Sequence, residues 1–257
     1  MELLITQKNG VCELKFNRPN VFNSFNRAMA LALQVALDNC ANDKEVRAIV
    51  LTGEGKAFCA GQDLAEATDP NGPELQSIVG EHYNPIIRRI REIEKPVIAA
   101  VNGVAAGAGA NIALACDITI AKESASFIQA FSKIGLIPDS GGTFFLPRIV
   151  GMQKALGLMM TGDKVGAKDA EAMNMIYKSV PDDEFEAEVE KLAFGMANMP
   201  TRGFGLTKKA VNASFSNDLK QQLDLEETLQ TEAGQTYDFT EGVTAFLEKR
   251  QPEFKGE

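Results

Sequence analysis

A chain of 257 residues with 45% hydrophobic content can bury one sizeable core, and its net charge of −9 argues against a nucleic-acid binder, which usually shows a basic face. No apolar stretch reaches the ~18 residues a bilayer-spanning helix needs, and Met1-Glu2-Leu3-Leu4 lacks the basic start of a secretory leader. Cys12, Cys40, Cys59 and Cys116 lie among apolar neighbours without CxxC spacing, so a cytoplasmic protein with reduced, buried thiols and neither disulfide frame nor zinc site is expected. Residues 2–7 and 11–16 predict a hairpin around Asn9-Gly10. Asn26 is placed to cap a helix carrying Met29, Leu33, Ala36, Leu37 and Cys40 on one stripe. A buried strand at 48–52 runs into the turn Ala57-Phe58-Cys59-Ala60-Gly61-Gln62-Asp63-Leu64. The irregular stretch from Thr68 to Pro73 is the best candidate for a mobile loop, and a helix follows to about Ile93. On that stretch His82, the one histidine, falls in a polar segment, so His-based triads and His-rich metal sites lack their parts. The basic run Arg88, Arg89, Arg91 and Lys95 reads as a solvated helix face.

A second strand at 97–101 leads into Val101-Asn102-Gly103-Val104-Ala105-Ala106-Gly107-Ala108-Gly109-Ala110-Asn111 and a short helix, with another strand expected at 116–120. Strands alternating with helices imply parallel pairing through crossovers. Residues 184–250 contain no convincing strand and read as helices broken near Pro200, Gly203, Gly234 and Gly242. Asp238 followed by Glu241 reads as a capping box before Val243, Phe246 and Leu247. The expected organisation is an α/β core over 1–183 and a helical C-terminal region over 184–257, with no internal repeat visible.

The two glycine-punctuated turns carry the chemistry. Small residues let backbone approach a ligand, and a helix start leaves N–H groups without internal partners. Two such turns facing one another aim two amides at one oxygen, which is an oxyanion hole. Taken singly, each turn is accounted for by close strand–helix packing. Gly107-Ala108-Gly109-Ala110-Asn111-Ile112 lacks the third glycine of a dinucleotide fingerprint, and Gly53-Glu54-Gly55-Lys56 is too short for a phosphate loop and has no Ser/Thr.

Both turns, with Gly135-Leu136-Ile137-Pro138-Asp139-Ser140-Gly141-Gly142-Thr143, resemble the crotonase (enoyl-CoA hydratase/isomerase) superfamily, from Asn17-Arg18-Pro19 to Phe246-Leu247-Glu248-Lys249-Arg250. Within it, GQDL, VNGVAAGAGA and AFSKIGLIPDSGGT are most similar to the isomerases that rearrange a ring-epoxide acyl-CoA to an oxepin in phenylacetate breakdown. The resemblance implies a spiral of β-β-α turns, a homotrimer or a hexamer of paired trimers, and an acyl-CoA thioester substrate. Coenzyme A then enters with the substrate, and no metal or separate cofactor is implied. It implies oxyanion donors at the backbone amides of Gln62 and Ala108, where the side chains matter little, and an aspartate, Asp139, that moves a proton. On local sequence alone Asp139 belongs to an ordinary Pro-Asp-Ser-Gly turn. A carboxylate facing an apolar pocket, however, has its pKa raised toward the working range.

Substrate contacts are expected from Phe22, Ala60, Asp63, Leu64, Gly107, Phe131, Ile134 and Lys249. Phe127 and Phe144 are further candidates for the acyl wall, each equally well read as core. Lys249, Arg250 and Lys255 lie in the tail that touches the coenzyme A nucleotide in this superfamily. Two departures matter. Hydratases of the superfamily carry glutamates at the positions of Asn111 and Phe131, and neither residue here deprotonates water. Isomerisation is therefore expected over hydration. The alternatives are a double-bond isomerase of unsaturated acyl-CoA, a hydratase, and an RNA-associated assembly protein on the same fold, which the acidic charge disfavours.

Overall fold

The computed structural model describes Met1 to Glu257. β1 (Leu3–Lys8) and β2 (Val11–Phe16) form the expected antiparallel hairpin, turned by Asn9 and Gly10 at positive φ (52° and 78°). α1 (Arg27–Asn42) starts where the Asn26 side chain accepts from the Met29 amide, and the five stripe residues are buried. An alternation between two sheets follows. β3 (Ala48–Gly53) and β4 (Ala57–Cys59) lead to α2 (Leu64–Ala67), α3 (Leu75–Ser77), a π-helical turn at Ile78–Tyr83 and α4 (Asn84–Glu92). β5 (Val97–Val101) and β6 (Val104–Ala106) lead to α5 (Ala108–Ala115). β7 (Ile118–Lys122) and β8 (Ser126–Ile128) lead through a 3-10 turn at Ala130–Ile134 to α6 (Gly142–Val150). After α7 (Met152–Thr161), β9 (Lys164–Gly166) and β10 (Lys178–Val180) flank α8 (Ala167–Ala172).

The first sheet has the order β1-β2-β3-β5-β7-β10 and the second β4-β6-β8-β9. Each β-β-α turn therefore gives one parallel strand to each sheet, which is the crotonase-type spiral. β3 and β5 are buried at every position because both faces of their sheet are covered. Ile49, Leu51, Ala99 and Val101 enter the main core beneath α1 and α5. Val50, Ile98, Ala100 and Ile120 meet Phe185, Val189 and Ala193 of α9 (Phe185–Ala197) on the other side. α10 (Thr201–Ser214), α11 (Leu219–Ala233) and α12 (Tyr237–Glu248) complete the chain. No helix is long and apolar enough to cross a membrane. All four cysteines are free and buried.

Several local expectations are corrected. The strand expected at 116–120 begins at Ile118, because Cys116 still closes α5. α12 is capped by Thr236, whose hydroxyl accepts from the Phe239 amide at 3.1 Å. The Asp238 carboxylate instead holds the C-terminal tail through the Lys255 and Gly256 amides (2.7 and 2.8 Å), and Glu241 holds Arg250 and the Glu253 amide. The capping box lies at Asp218 and Gln221, opening α11. The breaks near Pro200 and Gly234 fall as expected, whereas Gly203 and Gly242 lie inside helices and a further break falls between Ser214 and Leu219. The basic run is no solvated face. Arg89 pairs with Asp38, Arg91 reaches Asp117 and Asn212, and Lys95 donates to the carbonyls of Cys40 and Asp43. Of these four, only Arg88 is exposed. His82 is buried, not on a polar surface. Desolvation holds its pKa below the usual imidazole value, so it is a neutral ring in the helix wall.

Candidate active site

The two turns meet. A Cβ built on Gly61 would stand 3.5 Å from the Ala108 amide nitrogen and 3.7 Å from Gly107 Cα, and it would crowd the Ala106 carbonyl oxygen at 3.0 Å from a backbone at φ 94°, which favours glycine. Both glycines have positive φ (94° and 54°). Ala108 is the first residue of α5, where an amide has no intrahelical acceptor and feels the positive helix end. At the other turn, Phe25 donates its amide to the Gly61 carbonyl (2.7 Å) and accepts from the Asp63 amide (2.8 Å). Those bonds use the groups on either side of Gln62 and leave its own amide without a backbone partner. Gly109 is fixed by contact with β4, for a Cβ there would strike the Cys59 carbonyl and come 2.7 Å from Cys59 Cβ. Desolvation pushes the Cys59 thiol up to about 12, so it is a neutral packing group.

The side chain of Gln62, expected to matter little to donation by its amide, is held from both ends. Its Oε1 accepts from the Tyr83 hydroxyl at 2.9 Å and its Nε2 donates to Glu66 at 3.1 Å. Tyr83 is buried beneath the turn, its ring 5.8 Å from that of Phe25, and desolvation keeps its hydroxyl protonated far above the usual range. The π turn delivers it. Pro85 has no amide to give the Glu81 carbonyl four residues back, and Gln34 Nε2 takes that carbonyl at 2.8 Å. Asn84 donates instead to the Val79 carbonyl, five residues back.

Two carboxylates flank the turns in opposite environments. Burial alone would raise Asp63, yet the Arg18 guanidinium at 2.8 Å and the Ala65 amide hold it below the usual carboxylate range. Asp139 makes no ion pair. Burial pushes its carboxyl above the usual range, offset only in part by the Ser140 hydroxyl at 2.9 Å. Asp63 is thus fixed as an ion-paired anion, whereas Asp139 has no cationic partner. The peptide of Asp139 is gripped by Asn111, whose Nδ2 donates to the Asp139 carbonyl at 2.9 Å, while Gln129 Nε2 donates to Asn111 Oδ1 at 2.8 Å.

The structure brings Phe22 and Phe131 to the turns: the Phe22 carbonyl accepts from the Ala60 amide, and the Phe131 ring lies 3.8 Å from a Cβ built on Gly107. Ala60 and Leu64 are exposed beside them, and Ile134 is exposed at the end of the 3-10 turn that carries Phe131. Phe127 is a core residue. Phe144 stacks on Phe145 and Phe215 with Arg148 over its face. Lys249 terminates α12 in a left-handed conformation (φ 57°), and its backbone bond stays within that helix end. Arg250 is committed to Glu241 and Glu248. Tyr83, Glu66 and Arg18 escaped the sequence reading. Pro85 inside an apolar helical pattern was the one local signal available for Tyr83.

The enoyl-CoA hydratase/isomerase family model matches residues 6–257. The 1,2-epoxyphenylacetyl-CoA isomerase of Escherichia coli is 47% identical over 260 residues, covering 100% of this chain and 99% of that protein. A probable enoyl-CoA hydratase of Rhodobacter capsulatus is 49% identical over 247 residues, covering 96% and 95%. The crystal structure of enoyl-CoA hydratase from Bacillus anthracis superposes with a TM-score of 0.93 at 33% identity, covering both chains completely (100% and 100%). The chain belongs to the enoyl-CoA hydratase/isomerase family, the crotonase superfamily, and acts on acyl-CoA thioesters.

Proposed function

We propose that this protein isomerises ring-1,2-epoxyphenylacetyl-CoA to the oxepin thioester in aerobic phenylacetate breakdown. The observation that carries the reading is a buried carboxylate without an ion pair, Asp139, whose pKa is raised by burial, while the neighbouring polar position holds Asn111, an amide already engaged with the Asp139 peptide. In this reading the Gln62 and Ala108 amides polarise the thioester carbonyl and stabilise enolate character. Asp139 moves the proton, Phe22, Phe131 and Ile134 line the acyl side, and Lys249 meets the coenzyme A phosphates. The protein works in the cytoplasm as a trimer or a pair of trimers. The exposed Phe239, Phe246 and Leu247 of α12 support an assembly that covers them.

A second reading is favoured by the 49% identity to a probable enoyl-CoA hydratase. Following crotonyl-CoA loss beside conversion of the ring-epoxide thioester and a 3-enoyl thioester separates the two. Hydration outrunning every isomerisation would sink the isomerase reading. On the isomerised thioester, Asp139→Asn keeps the shape and removes the base, so turnover should fall ~10²-fold or more. Stability should move the other way. A carboxyl whose folded pKa is raised gives stability that is present at acid pH and lost as pH rises through that value. Asp139→Asn, always neutral, should therefore melt higher than wild type at neutral pH and lose that advantage in acid.

A further inference from the structure

We infer that Asn111 and Gln129 form a positioning device that sets the Asp139 carboxylate against the oxyanion hole, and that the donated hydrogen bond from Asn111 is its working part. This rests on the reading of Asp139 as the proton carrier. The segment after Asp139 is an unstable backbone. Ser140 is a buried non-glycine residue at φ 51°, and Gly141 follows at φ 75°. Such a left-handed residue is strained and persists only where its surroundings hold it. What holds it is the Asp139 carbonyl, which accepts from the Gly142 amide (2.8 Å) within the turn and from Asn111 Nδ2 (2.9 Å) across from α5. The second is the one hydrogen bond this carbonyl receives from beyond the turn and the start of α6.

Asn111 is fully buried and is oriented by Gln129, itself buried on the strand end after β8. The fit is tight. A Cβ on Gly142 would stand 2.7 Å from Asn111 Cγ, so the glycine is what admits the amide. Asn111 lies one helical turn beyond Ala108, and its own amide donates to the Gly107 carbonyl at 3.2 Å. The helix that presents the Ala108 amide therefore also fixes the Asp139 peptide, making α5 the rigid spacer between acceptor oxygen and proton carrier. Proton transfer is steep in distance, so a shift well under the ~1 Å that costs 10²-fold is felt in rate.

Asn111→Ala and Asn111→Asp test this against Asp139→Asn on the thioester the wild type turns over. Asn111→Ala should lower kcat ~10-fold or more with KM nearly unchanged. A variant that melts lower but keeps wild-type kcat would make Asn111 a structural residue and overturn the proposal. Asn111→Asp keeps the shape and donates only while protonated. Its rate should therefore fall again at alkaline pH as that buried acid ionises, adding a limb that neither wild type nor Asn111→Ala shows, with melting checked at each pH. A profile of wild-type shape would show that the donor is not what matters. If Asp139→Asn itself turns over normally, the proton-carrier reading fails, a different result from Asn111→Ala alone being silent.

Discussion

The two turns present the same group, a free backbone amide, and are supported differently. The second is backbone throughout. Gly107 donates to the Ile128 carbonyl, β6 pairs with β4 and β8 on either side, and α5 begins at Ala108 itself. Its side chains are small because nothing else fits between α5 and β4. The first turn, tied by backbone bonds to Phe22 and Phe25, rests on side chains as well: Tyr83 and Glu66 on Gln62, Arg18 on Asp63, and the Phe16, Phe25 and Phe58 rings beneath, packed edge-to-face at 5.2 and 5.3 Å. A backbone-built turn tolerates no added atom but ignores distant residues. A side-chain-built turn can be loosened from afar, one bond at a time.

The largest effect should come from deleting the amide of the rigid turn. Ala108→Pro removes the N–H, and proline is otherwise tolerated at the first helical position. Loss of one such donor should cost ~10²–10³ in kcat, while Ala108→Ser keeps the N–H and most of the rate. Equal turnover by the two variants, with matched melting curves, would remove Ala108 from the site. Next comes Gly109→Ala, a single methyl driven into the Cys59 backbone. Because that contact is with a carbonyl and not a movable side-chain tip, α5 has to shift, at a cost of ~1–3 kcal/mol. Activity should fall with stability, and an unchanged melting temperature would show that the turn is less rigid than its packing implies.

The difference between the turns also explains how much was legible. Gly107, Gly109 and Gly61 mark geometry that only glycine provides, and the run of small residues after a buried strand was readable as close approach. The hairpin at Asn9-Gly10 and the Asn26-capped stripe of α1 are local in the same sense. Strands β4, β6 and β8 have three residues each, too few for a period, and the resemblance implies their β-β-α pattern without placing them. Asp238 shows the other limit. Its spacing to Glu241 fits a capping box, yet its partners are the Lys255 and Gly256 amides, brought back by the folded tail. Asn111 reads in the sequence as a departure from hydratases, but its grip on Asp139 spans 28 positions and exists only in three dimensions.

The smallest and most discriminating effect is expected from Tyr83→Phe. The ring and its contact with Phe25 remain, and only the hydroxyl that fixes Gln62 Oε1 is lost. Removing one such bond should cost ~1 kcal/mol, which for a chain this long lowers the melting temperature by ~2–4 °C. The Gln62 amide stays in place but is aimed less well, so kcat should drop by less than ~10-fold, well short of Ala108→Pro. Because burial keeps the Tyr83 hydroxyl protonated far above its usual range, it donates throughout the working range of pH. The ratio of variant to wild-type rate should accordingly be flat with pH. A ratio that changes across neutral pH would mean that the hydroxyl exchanges a proton in the reaction. A kcat equal to wild type would mean that the first turn, like the second, is held by its backbone alone.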